Sequence, residues 1–105
     1  MKLKYLAAAL LANLLCSPLA SAQDVEAGGK IYNKQCRSCH GPKAQGMASF
    51  PKLAGQPADY IAMRLTQYRS GEKVGPNTPL MAPRAKKLSD EDIANISSFI
   101  ATTFE

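Results

Sequence analysis

Residues 36–40 read Cys-Arg-Ser-Cys-His, and they hold most of the reactive chemistry of the chain. Two thiols three residues apart fall on one helical turn. The imidazole of His40 follows at once, and it is the sole His of the sequence. Such a set can bind a metal, run thiol–disulfide exchange or anchor an organic cofactor. A structural zinc site needs four ligands, and the motif has no obvious fourth nearby. A redox-active C-x-x-C pair sits after a strand in a βα unit, and no strand-like pattern precedes Cys36. A plain disulfide is permitted in an exported chain but leaves His40 without a task. The use that employs all three side chains is covalent haem attachment, for which C-x-x-C-H is the signature. The thiols reach the two vinyl groups on one porphyrin edge, and His40 turns toward the iron from below.

An iron held this way takes a sixth ligand or leaves that position open for chemistry. A Met thioether favours electron transfer and raises the potential. Beyond the first segment of the chain the candidates are Met47, Met63 and Met81. Met47 follows His40 by a short path for rounding a porphyrin edge. Met63 lies off the apolar stripe of its helix, where Met is a common gap filler. Met81 stands in Pro79-Leu80-Met81-Ala82-Pro83, and the two prolines are expected to hold that stretch extended. Met81 is therefore the expected partner of His40 on the iron, with Met63 or an open position as the alternatives.

Three helices are expected to position these groups, joined by loops at 41–56 and 71–87. The first runs from Asp24 to Arg37, with Val25, Gly28, Ile31 and Tyr32 facing inward. Gly28 and Gly29 each cost a helix about 1 kcal/mol against Ala, and such glycines often mark a close crossing. The second begins at Pro57 and stops before Gly71, with Ile61, Leu65 and Tyr68 on one face. The third starts at Ser89. Ser89 and Asp92 resemble a capping box, Leu88 and Ile93 can staple it, and Ile93, Ile96, Ile100 and Phe104 share a face bordered by Phe99. No period-2 apolar run lies outside the helices. The fold class is all-α.

The chain has 105 residues, 46% of them hydrophobic, with 7% aromatics and no Trp. That is one domain with a thin core. Its N-terminal segment carries Lys2 and Lys4, then an apolar run from Tyr5 to Cys16, Pro18, and the small residues Ala20-Ser21-Ala22. This is the pattern of a cleaved secretory signal peptide over 1–22, leaving a mature domain over 23–105. The apolar run is shorter than the roughly 20 residues that span a bilayer. Leu14 and Leu15 before Cys16 do not suit a lipid-attachment site. Removing the leader lowers the net charge from +5 to +3 and takes away the odd third Cys. Haem propionates would offset much of what remains, so a nucleic-acid partner is not expected. A mature chain this short ordinarily needs a staple, and a porphyrin would supply both staple and core.

With these residues in view the sequence resembles the class I c-type cytochromes. The resemblance rests on Cys36 to His40, on Phe50-Pro51-Lys52-Leu53-Ala54-Gly55-Gln56, on Met81-Ala82-Pro83 and on Leu88-Ser89-Asp90. It is strongest to small bacterial monohaem cytochromes and to one half of the dihaem group, although a second C-x-x-C-H is missing here. The resemblance implies a cytochrome c fold around one covalent haem c. It implies crossed N- and C-terminal helices, with Gly28 and Tyr32 meeting Ile96 and Phe99. It also implies that the carbonyl of Pro51 receives the Nδ1 proton of His40, orienting the ring.

The expected function is periplasmic transport of single electrons between redox proteins, with Cys36 and Cys39 as tethers and His40 and Met81 on the iron. With its one His bound as a ligand, the chain has no His-based acid or base for enzymatic work. A monomer is expected, touching membrane-bound complexes at most transiently. Lys34, Arg37, Lys43, Lys52, Lys86 and Lys87 could border the haem edge and steer acidic partners, or form a solvated face. The competing readings are a haem subunit of a larger oxidoreductase, and a haem enzyme or gas sensor with a displaceable sixth ligand.

Overall fold

Asp24 opens the first helix of the computed structural model, which describes residues 23–105; the expected leader lies outside the described residues. The Asp24 carboxylate accepts from the N–H of Ala27, and its carbonyl from that of Gly28, both at 3.0 Å. These bonds satisfy donors that a helix start leaves orphaned. Helix α1 spans Val25–Ile31 and runs on through a π-helical turn, Tyr32–Cys36, into α2, Arg37–His40. In the π turn the Arg37 N–H reaches the carbonyl of Tyr32, five residues back. Such turns carry an extra residue and concentrate at functional sites. The helical path therefore passes its expected end at Arg37 and delivers all of the C-x-x-C-H motif. Gly41, at φ +97°, stops it.

Helix α5, Asp90–Thr103, crosses α1 at Gly28 and Gly29. A Cβ on Gly28 would run into the carbonyl oxygen of Asn95, and one on Gly29 would come within 2.8 Å of the Phe99 ring. Bare backbone is what lets the two helices meet. Val25 does not face inward as the apolar pattern suggests; it is 39% exposed. It lies in the turn before the crossing, and the glycines take the contact instead. Tyr32 is fully buried beside them, with ring centroids 5.7 Å from Phe99 and 5.4 Å from Phe104. Phe99 and Phe104 meet edge to face at 5.5 Å. Three of the chain's seven aromatics thus meet at one junction, where each pair adds to burial.

Ser89 caps α5. Its hydroxyl accepts from Asp92 N–H at 3.0 Å while the Asp92 carboxylate accepts from Ser89 N–H at 3.1 Å, a reciprocal capping box. Helix α3, Ala58–Ser70, follows Pro57 and ends at Gly71 in the left-handed conformation, φ +86°. Its Ile61 and Leu65 join Ile93, Ile96 and Ile100 of α5 in the core.

The stretch 71–87 corrects the sequence reading. The prolines do not hold it extended. Thr78–Ala85 form a helix, α4, with Met81 in its middle. Pro79 occupies the first turn, where its missing N–H is no loss. Pro83 falls close enough to the C-terminal end that only the last turn bears its cost. Before the helix, the Thr78 hydroxyl accepts from the N–H groups of Val74 and Gly75, each at 2.9 Å, and donates to the Gly75 carbonyl. Among the described residues there is no strand, only an isolated bridge between Met47 and Phe50.

Candidate cofactor site

Between these helices lies a cleft of about 1220 Å³, its open mouth included. Cys36, Cys39 and His40 line one part of it. Leu80 and Met81 come from α4, Ile61 and Leu65 from α3, and Ile96 and Ile100 from α5. The lining is mainly apolar, with Phe50, Tyr60 and Tyr68 beside the aliphatic residues, and its polar side chains include Gln35, Lys52, Gln56, Arg64, Asn77 and Arg84. Lys34 and Lys87 line a smaller neighbouring cleft that shares Arg84, whereas Arg37, Lys43 and Lys86 line neither.

His40 is 7% exposed, and its Nδ1 lies 2.9 Å from the carbonyl oxygen of Pro51. A carbonyl can only accept, so Nδ1 carries the proton and Nε2 is left with its lone pair. The loop that places Pro51 is itself fastened. His40 carbonyl accepts from Gly46 N–H at 2.7 Å, and the buried Ala44 carbonyl accepts from Leu53 and Ala54 at 2.9 and 3.0 Å. Ala44 sits at φ +54°, a left-handed conformation costly for a residue with a Cβ. Nothing in the identity of an alanine signals that role.

Tyr32 supplies a second clamp that the sequence did not suggest. Its hydroxyl donates to the Gly41 carbonyl at 2.6 Å, one residue past His40. Burial pushes this phenol up to about 12, so it stays protonated and able to donate.

The thiols of Cys36 and Cys39 are free and half-buried. Burial pushes the Cys36 thiol up to about 11. A redox-active pair needs the opposite shift, toward thiolate. Met81 is half-buried, packs on the core and lines the cleft. Met47 and Met63 are each 45% exposed and line none of it.

Two free thiols, an imidazole with its tautomer fixed, a thioether and a mainly apolar cleft fit a haem. A family model described as Cytochrome c matches residues 25–104. The chain belongs to the cytochrome c family. Cytochrome c-554(547) of Halothiobacillus neapolitanus is 42% identical over 89 residues, covering 77% of this chain and 98% of that protein. Cytochrome c4 of Pseudomonas aeruginosa is 41% identical over 87 residues, covering 78% of this chain and 43% of its own length. Among solved structures, reduced cytochrome c4 from Pseudomonas stutzeri aligns with TM-score 0.64 at 35% identity, over 77% of this chain and 48% of that one.

As a cytochrome c, the chain has the cytochrome c fold and carries iron in a covalently attached haem c, with Cys36 and Cys39 at the attachment spacing. It is an electron-transfer haem protein with redox proteins as its partners. Of the two helices that meet at Gly28, α5 lines the cleft through Ile96 and Ile100, and α1 leads through the π turn into the attachment motif.

Proposed function

We propose that this cytochrome c is a periplasmic carrier of single electrons, with Cys36 and Cys39 as thioether tethers and His40 and Met81 as the axial ligands. One observation carries the reading: His40 and Met81 line the same mainly apolar cleft, while Met47 and Met63 lie outside it. Haem, when bound, supplies a one-electron Fe(III)/Fe(II) couple.

The protein's own residues set the conditions. Pro51 holds the Nδ1 proton of His40, which fixes the ring and makes Nε2 a stronger donor. Ile61, Leu65, Ile96 and Ile100 exclude water, and exclusion of water disfavours the more charged oxidised state. Met81 is presented by a helix rather than by a loose loop and packs on the core, which supports a held sixth ligand. A held sixth ligand favours a carrier over an enzyme or gas sensor. With His40 engaged, no second His is available as a general acid or base. The leader pattern over 1–22 supports export, and a monomer is the simplest form in which the mouth of the cleft meets a partner.

Visible spectra of the purified protein, oxidised and reduced, with and without carbon monoxide, test this. A carrier shows the weak far-red methionine–iron band when oxidised and binds carbon monoxide slowly. Absence of that band with rapid binding supports the enzyme or sensor reading instead.

A further inference from the structure

We propose that Gln23 is the terminal residue of the exported protein and closes on itself to a pyroglutamyl group. The proposal rests on the reading that 1–22 is a removed leader, with cleavage between Ala22 and Gln23.

Among the described residues, Asp24 is the first that the fold ties down. Its backbone N–H donates to the side-chain oxygen of Asn95 at 2.8 Å, and Asn95 is buried in α5. Its carboxylate and carbonyl hold Ala27 and Gly28, as described above. Gln23 is exposed and makes no hydrogen bond among the described residues. Cleavage before it therefore frees an α-amine next to an unengaged carboxamide, on a residue whose successor is immobilised.

The step is an internal acyl transfer. The α-nitrogen attacks Cδ of its own side chain and forms a new N–C bond in a five-membered lactam. The Cδ–Nε2 bond breaks, and Nε2 leaves as ammonia with the proton given up by the α-nitrogen. No oxidant, reductant or second substrate is consumed. A terminal amine titrates near 7.7–8.0, so roughly a tenth or more is neutral and nucleophilic at pH 7. The product has neither the positive charge nor the free amine of an ordinary terminus.

Closure protects the crossing of α1 and α5. Chain ends are where trimming concentrates. Loss of Gln23 would turn the Asp24 amide, now a neutral donor to Asn95, into a terminal ammonium beside the contact of Gly28 with Asn95. A lactam offers an aminopeptidase no amine to engage.

The test is the intact mass and N-terminal sequence of the haem-loaded protein, purified from cells expressing the full chain. The expected mass is that of residues 23–105 with one haem, less one ammonia, with a blocked terminus. The same residues at full mass with a sequenceable Gln overturn the closure and leave the leader reading standing. A mass that begins elsewhere overturns both. The exposed substitution Gln23→Ala keeps a free amine, so added aminopeptidase should trim it and spare the parent. Equal trimming of the two would contradict the proposal.

Discussion

The Nδ1 of His40 and the carbonyl oxygen of Pro51 stand 2.9 Å apart. The bond ties the last residue of the attachment helix to a loop that follows it. It decides which imidazole nitrogen is free to donate, and it does so with a backbone atom that substitution cannot delete. What a substitution can change is how firmly that carbonyl is held.

Pro51→Ala keeps the carbonyl but releases the fixed φ of proline. The bond should lengthen, and Nε2 should become a poorer donor. A poorer donor stabilises Fe(III) less, so the midpoint potential should rise. Redox titration of the variant against the parent measures this, and a lower potential would contradict the assigned role of Pro51.

Gly28→Ala should be among the most damaging single changes outside the cleft. The added Cβ meets the backbone of Asn95, which cannot swing aside as a side-chain tip can. Overpacking typically costs about 1–3 kcal/mol, and this site belongs at the upper end. Urea unfolding of the haem-loaded protein should show a clearly lower midpoint. Gly55→Ala, where nothing lies within 4 Å of the added atom, bears only the strain of its positive φ, about 1–2 kcal/mol.

Ser97 is 2% exposed, and its hydroxyl has no partner among the described residues. An unpaired buried polar group costs about 1–3 kcal/mol. Ser97→Ala removes it with little change of volume, so the variant should be more stable, by up to about 1 kcal/mol once the lost contacts of the oxygen are counted. A higher unfolding midpoint is the expected result.

Stability should fall in alkali through Tyr32. Its phenol titrates near 10 when unfolded and is raised to about 12 in the fold. The folded state therefore prefers the protonated form. This contribution is fully present below pH 10 and is lost as pH rises toward 12. Tyr32→Phe should flatten the stability profile over that window while lowering stability below it, since the bond to Gly41 is gone. Unfolding midpoints of both proteins between pH 8 and pH 12 provide the comparison.

Much of this arrangement is legible in the residues themselves. Cys36, Cys39 and His40 announce their chemistry by spacing, Ser89 and Asp92 announce a helix start, and Gly28 inside an amphipathic helix signals a close approach. Helix α4 is not legible in the same way. Pro79 and Pro83 read as loop residues because proline penalises a helix interior, yet both lie near helix ends where the penalty is small or nil. The π turn at Tyr32–Cys36 is equally silent, because an extra residue per turn changes hydrogen bonding without changing composition. The left-handed Ala44 and the Tyr32–Gly41 bond depend on contacts that only the folded chain creates.

The proposed sharing of one iron by His40 and Met81, both in the cleft lining, is the centre of the account. Its most direct test is the visible spectrum of the oxidised protein after Met81→Ala, with Met47→Ala and Met63→Ala beside it. The account predicts that Met81→Ala alone loses the far-red methionine–iron band, binds carbon monoxide rapidly and has a lower potential. Retention of the band in Met81→Ala, or its loss in Met47→Ala or Met63→Ala, would contradict it.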